Sequence, residues 1–253
     1  VNDLLVAKEQ VRYEQKAYWR NPMAAVFTLL FPVVFLVVVG SSAGSSRVPG
    51  TTLRYDQYTV VAMLTFGLIG ACYTNLAMSI CFRRDNGMLK RMRGTPISVG
   101  SYMGGIIGST LINVAVLTVV VVGIGMSFYH LHFPYHPGDA LLTLVVGIVT
   151  FGALGLAVTV IVPNADAAPA VVNGIYFPVV FISGVFYPLS NGSVLSKIAD
   201  YFPVRHMVLA LVSSFEGGPG SGLRAGDLGV MVVWAVAALV FTARRFRWEP
   251  KHK

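Results

Sequence analysis

The chain has 253 residues, of which 55% are hydrophobic and 12% charged, and its mean hydropathy is +0.68. An average soluble domain carries about 25% charged residues, so this composition excludes a soluble fold and intrinsic disorder, and two cysteines exclude a disulfide-built scaffold. The net charge of +8 reads as a membrane-topology signal and an attraction to acidic lipid heads, with no nucleic-acid partner expected.

In chain order, residues 1–20 come first. Leu4, Ala7, Val11 and Tyr18 recur at near-helical spacing, with Lys8, Glu9, Arg12, Glu14 and Lys16 between them. The pattern predicts a helix lying in the inner membrane interface, with Tyr18 and Trp19 at the aromatic belt and Arg20 snorkelling. Glu14 falls near the apolar seam and weakens it.

Charge-free runs then mark the spans. Arg20 to Arg47 and Asp56 to Arg83 each enclose 26 uncharged residues, Arg93 to Asp139 encloses 45, Asp139 to Asp166 26, Asp166 to Lys197 30 and Asp227 to Arg244 16. About 20 apolar residues cross a bilayer, so each run is expected to hold one span: 23–40, 58–81, 99–128, 140–162, 168–187 and 226–243. The third run has the length for two, but Gly94-Thr95-Pro96 and Pro134-Tyr135-His136-Pro137-Gly138 bracket one long helix. The apolar runs are continuous, which argues against a barrel. Ser42-Ala43-Gly44-Ser45 would permit signal cleavage, yet about 20 mixed-charge residues precede the first run, longer than a normal signal n-region. The expected fold is therefore an all-α integral membrane protein, a single transmembrane domain over 1–253 with six transmembrane helices.

Fourteen of the 19 Lys and Arg residues fall on the N-terminal segment, the even-to-odd connections and the C-terminus. The positive-inside rule then puts both termini in the cytoplasm. Cys72 and Cys81 sit nine residues apart on one expected helix, on nearly opposite faces, and cannot bridge.

Charges bound these runs, so no ionisable side chain is expected inside the membrane. That argues against ion-driven transport and against intramembrane proteolysis, which needs a nucleophile with a base or a metal. No G-x-x-x-x-G-K-[ST] motif is present. The chain is expected not to be an enzyme, and energy for uphill movement would have to arrive from another polypeptide.

The segment between spans 2 and 3, residues 83–98, reads as a short amphipathic cytoplasmic helix. Met88, Leu89 and Met92 form a small apolar face, Lys90, Arg91 and Arg93 fill the remainder, and Gly94 and Pro96 end it. In span 2, Thr65, Cys72, Asn75 and Ser79 share one helical face, and in span 5 Asn173, Tyr176 and Ser183 are similarly spaced. Polar residues in lipid face protein or a cavity. Gly104 and Gly108 in span 3 predict close helix packing. His130, His132 and His136 lie on the outer side and are expected to be solvated rather than metal ligands. Residues 188–225 carry two short apolar stretches, 194–202 and 207–212, separated by Pro203 and too short to span.

Four blocks carry a family resemblance. Arg91-Met92-Arg93-Gly94-Thr95-Pro96-Ile97-Ser98 resembles the L-R-x-T-P-[VI]-S element of type-2 ATP-binding-cassette exporter permeases, with Met92 replacing Leu. Asn21-Pro22 followed by an apolar run with Pro32 is similar to the family's approach to span 1. Pro163 to Ala170, then Asn173, Pro178, Phe181 and Ser183-Gly184-Val185-Phe186-Tyr187-Pro188-Leu189-Ser190, resembles its span 5 signature. Phe202-Pro203 with Arg205-His206 resembles its outer segment before span 6.

The resemblance implies that 83–98 is a coupling helix docked on a cytoplasmic ABC ATPase, with contacts from Met88, Leu89, Arg91, Met92, Arg93, Thr95 and Pro96. It implies that 1–20 is a connecting helix and that 188–225 forms outer re-entrant helices. Spans 2 and 5 would line the substrate pathway through Thr65, Phe66, Cys72, Asn75, Ser79, Asn173, Tyr176, Phe177 and Ser183. The chain itself would hold no cofactor, with ATP and Mg on the partner ATPase, and a second permease copy would complete the path. The implied activity is export of an amphiphilic drug or lipid, as in multidrug efflux and antibiotic resistance, at a bacterial inner membrane. A passive channel or scaffold without an ATPase is the rival expectation.

Overall fold

The structure, a computed structural model, describes residues 3–20, 22–42, 44–94, 98–190 and 192–245. Among these the regular structure is helical, apart from one bridge between Arg47 and Arg54. The helices are α1 (Asp3–Arg20), α2 (Pro22–Ser42), α3 (Tyr55–Ile69), α4 (Leu76–Asp85), α5 (Met88–Arg93), α6 (Val99–Phe128), α7 (Pro137–Ile161), α8 (Ala168–Ile182), α9 (Val194–Ala199), α10 (Pro203–Phe215) and α11 (Ala225–Arg245). A π-helical turn, Gly70–Asn75, joins α3 to α4, so 55–85 is one continuous rod.

Among the described residues, four helices are long and apolar enough to cross a membrane: 55–85, 100–128, 137–161 and 225–245. The apolar segments Thr28–Ser42 in α2, α8 and α10 are shorter. The rod 55–85 is 83% buried over its most apolar window, against 22–39% for the other three. It is the axis of the bundle, and the other three turn large apolar residues such as Val119, Leu141 and Val233 outward. That distribution fits a lipid surround.

Local chemistry sets the helix ends. The Ser98 hydroxyl accepts the Ser101 N–H at 3.1 Å and opens α6. Pro137 and Pro203 occupy the first turns of α7 and α10, where a missing N–H costs nothing. α8 stops at Ile182, short of the expected 187, because Gly184 takes a left-handed φ of +85° and its carbonyl accepts the Tyr58 hydroxyl at 2.6 Å. The expected single helix over 83–98 is instead the end of α4, a tight turn at Asn86-Gly87 with Gly87 at φ +67°, and the short α5.

Small residues set the helix contacts. A Cβ on Gly155 of α7 would lie 2.9 Å from the carbonyl oxygens of both Cys72 and Tyr73, so α7 touches the backbone of the π turn. α1 runs beside and parallel to the first half of α6. Asp3 Oδ1 accepts from Ser101 Oγ at 3.1 Å, and Gln15 Nε2 donates to Ser109 O at 2.9 Å and Asn113 Oδ1 at 3.0 Å. The glycines of α6 face this helix: a Cβ on Gly105 would lie 2.2 Å from Gln10 Cγ, and one on Gly108 would lie 2.7 Å from Val11 Cγ2. Glu14 is buried beneath α1, paired with Arg83 of α4 through Oε1–Nη1 at 2.6 Å and Oε2–Nη2 at 2.5 Å. Arg83 Nη1 also donates to the Tyr102 hydroxyl at 2.8 Å.

Candidate transport cleft and its surroundings

Aromatic side chains from three helices converge at mid-bundle. Phe31 and Phe35 of α2, Phe66 of α3, Tyr176 of α8 and Phe186 beyond it stack with centroids 4.7–6.2 Å apart. Their order comes from hydroxyl anchors between α8 and the central rod. Tyr176 Oη donates to Phe66 O at 3.1 Å, Tyr73 Oη to Val172 O at 3.4 Å, and Tyr58 Oη to Gly184 O. Each buried bond of this kind contributes about 0.5–1.5 kcal/mol net.

Beside this stack opens a cleft of about 350 Å³, walled by Thr28, Phe31, Phe66, Thr74, Asn173 and Phe177 among others. Its lining is mostly apolar with a few amides and hydroxyls, a composition suited to ligands with a large apolar body. Asn75 Nδ2 donates to Thr28 Oγ1 at 2.9 Å and closes one edge. A second, more polar cleft of about 390 Å³ lies between α1, α4 and α6. It is bordered by Glu14, Arg83, Ser79 and Asn113, and Asn75 and Met78 line both clefts, so the two adjoin.

Of the nine residues expected along the path, Phe66, Asn75, Asn173, Tyr176 and Phe177 meet at the aromatic cleft, and Ser79 lines the polar one. Thr65, Cys72 and Ser183 are fully buried elsewhere, with the two hydroxyls bonded to Val61 O and Val179 O one turn back. Cys72 stays on the face of Thr65, seven residues earlier, and that face turns into the core rather than toward the cleft. Thr28, Phe31, Pro32 and Thr74 also line the cleft, a contribution of α2 and the π turn that the sequence reading missed. Gly67 and Gly70 were the available signal: Gly67 faces Pro32 so closely that a Cβ would approach it to 3.0 Å.

At the α5 end of the bundle, Met88, Lys90 and Arg91 are exposed, whereas Leu89 is fully buried against Leu76, Ile80, Tyr102 and Ile106, with Met92 packed beside it. The apolar ridge therefore divides: Leu89 holds α5 to the bundle, and Met88 with the cations faces out. Thr95 and Pro96, and the side chain of Arg93, lie outside the described residues.

At the opposite end of the bundle, the charge-free membrane expected from sequence needs one correction. Asp227, inside the 226–243 range drawn for span 6, is buried in the first turn of α11. It pairs with Arg224 and receives His206 Nδ1 at 2.6 Å. His206 Nε2 meets Asp200 O at 2.9 Å, and Arg205 Nε donates to Asp200 Oδ1 at 2.5 Å. α10 is thus a buried helix between α3, α7 and α11, joined to α11 by this cluster. His136 meets Ser221 Oγ at 3.1 Å, and Cys72 and Cys81 are not disulfide-bonded. No group of three or more metal-ligating side chains occurs among the described residues.

Both ring nitrogens of His206 face oxygen acceptors, so the imidazolium satisfies both contacts and the neutral ring only one. The hydrogen bond to Asp227 raises the His206 pKa above its ordinary value, outweighing desolvation. A raised folded-state pKa stabilises fully below the ordinary value near 6.5 and is lost as pH rises through the raised value. The thermal midpoint of the purified protein should therefore fall as the pH rises from below about 6.5 through the raised value, and His206→Gln should flatten that dependence. An identical slope in the variant would assign it to another group.

Four helices of crossing length among the described residues, packed around a buried axis with a cleft between helices, define a multi-pass membrane protein. The family model of the ABC-2 type transporter matches residues 8–215, and the chain belongs to that family. It is the membrane-domain component of an ABC transporter, a class that works with an ABC ATPase. No curated protein matches the chain.

Proposed function

We propose that this chain is a permease subunit of an ATP-driven exporter that moves an amphiphilic drug or lipid-like substrate out of the cytoplasm or the inner leaflet. Six spans cross a bacterial inner membrane with both termini cytoplasmic: α2, the rod 55–85, α6, α7, α8 and α11. α9 and α10 re-enter from the outer side and roof the path, while α1 connects at the inner interface. One copy supplies half a pathway, and a second permease, identical or related, supplies the rest. ATP and Mg bind on the partner ATPase.

The observation that carries this reading is the pair of adjoining clefts. The polar one lies near the inner ends of α4 and α6, and the aromatic one lies at mid-bundle. An amphiphile in the inner leaflet holds its polar head at the interface and its apolar body toward the midplane, the same order of polarity. Exposed Met88 and Arg91 offer a docking contact on the side where the Lys and Arg bias places the cytoplasm. The test is purification of the intact complex from the native membrane. A stoichiometric ABC ATPase should accompany the wild-type chain and be lost, with the chain still folded, on replacing Met88 and Arg91 by Glu. A wild-type chain that purifies without an ATPase and leaks substrate down its gradient would establish the passive channel instead.

A further inference from the structure

Arg84, next to last in α4, is 1% exposed, the most buried charged side chain among the described residues. It lines neither cleft. Its Nη1 donates to Thr159 O at 2.9 Å and its Nη2 to Val162 O at 2.9 Å, carbonyls at the C-terminal end of α7. The nearest carboxylate oxygen on Nε, Asp85 Oδ1, is 3.6 Å away, too far for a hydrogen bond. The charge is compensated by the α7 C-terminal carbonyls and by Asp85, which at 3.6 Å is within ion-pair range. Asp85 makes a second attachment: its Oδ2 accepts the Ala165 N–H at 2.5 Å, in the turn that leads into α8.

A cap alone does not require this arrangement. Helix ends near a membrane surface are satisfied by water, glycine or neutral side chains, and burying a guanidinium carries a desolvation cost that those avoid. What a two-pronged guanidinium adds is a stiff, directional junction. On one side of it, Asn86 and Gly87 are the only residues before α5, and Leu89 packs α5 against α4 and α6. On the other side, α8 begins three residues beyond Ala165 and carries Asn173, Tyr176 and Phe177 along the aromatic cleft. The outer end of α8 is held separately, by Tyr58 at Gly184.

We propose that Arg84 and Asp85 are the transmission contact through which displacement of the ATPase-facing segment reaches the inner end of α8 and so reshapes the cleft. They are positioning residues, touching neither substrate nor nucleotide, and the role rests on the exporter reading above. Packed helices joined this way shift as bodies between discrete arrangements, so breaking the junction separates nucleotide turnover from cleft movement.

The test uses the full complex with its ATPase, reconstituted in liposomes, with a cationic amphiphilic dye as the transported probe. Arg84→Ala and Asp85→Ala should keep the ATPase bound and hydrolysing at its unstimulated rate. Dye stimulation and dye moved per ATP should fall about ten-fold, within the roughly 5- to 150-fold span of a coupling free energy between two sites. Asp85→Asn keeps an oxygen acceptor for the Ala165 N–H and should restore coupling, which a charge requirement would not allow. Should Arg84→Ala not assemble, the Asp85 pair carries the comparison alone. Normal dye moved per ATP in Asp85→Ala overturns the transmission role and leaves the exporter reading standing. A wild-type chain that binds no ATPase overturns both.

Discussion

Glu14→Ala should destabilise the protein by about 3–5 kcal/mol, the range found when one partner of a buried ion pair is removed. The Glu14 side chain is 8% exposed and its partner Arg83 17%, so the substitution leaves a mostly buried guanidinium at the edge of the polar cleft with the Tyr102 hydroxyl as its remaining hydrogen-bond acceptor. The loss should appear in urea or thermal unfolding of the detergent-solubilised chain and as faster proteolysis of α1. Replacing Glu14 and Arg83 together by Met should recover most of it, since no charge is then stranded. A double variant as unstable as the single one would show that α1 depends on something other than this pair. Because Glu14 joins the N-terminal helix to the last turns of α4, the same substitution should loosen the attachment of α5 as well.

Gly155→Ala should cost about 1–3 kcal/mol, the usual penalty for forcing a methyl group into packed space. The obstacle is backbone: the carbonyl oxygens of Cys72 and Tyr73 stand 2.9 Å from the added carbon. Gly147, two turns earlier on α7, is the matched control. There the added carbon meets the flexible end of Met207, with Cε and Sδ at 2.7 Å, and the side chain can swing aside. Thermal midpoints of the two variants should separate, with Gly155→Ala the lower. Since Gly155 abuts the π turn that borders the aromatic cleft, its variant should also alter substrate stimulation of the ATPase, whereas Gly147→Ala should not.

Much of the architecture was legible in composition. Charge-free runs bounded by Arg and Asp located all of α2, α6, α7 and α11 to within a few residues, because hydrophobic length is a one-dimensional property that a bilayer reads directly. The resemblance at 91–98 and 163–190 agrees with the family that matches residues 8–215. The helix ends were less legible. α8 ends at Ile182, just before Gly184, whose carbonyl is held by Tyr58 from 126 residues away in the chain, and no local pattern encodes that contact. The π turn was also hidden. It adds no apolar or polar residue, yet it shifts the helical phase between the buried face of Thr65 and Cys72 and the cleft-lining Asn75 and Ser79.

The sequence by itself determined that this chain lives in a membrane, where its long apolar helices lie, and that a basic segment follows the second apolar run, since each depends on which residues occur and how far apart. Only the tertiary structure decided which polar residues face a cleft, which charges are buried, and what they hold. Glu14 reads as a flaw in an apolar seam and Arg84 as one more interfacial cation until Arg83 and the α7 carbonyls are placed beside them. The physical reason is that burial and pairing are properties of neighbours in space. Two residues 69 or 75 positions apart become partners only when helices pack, and the cost of a buried charge is set by what it then meets.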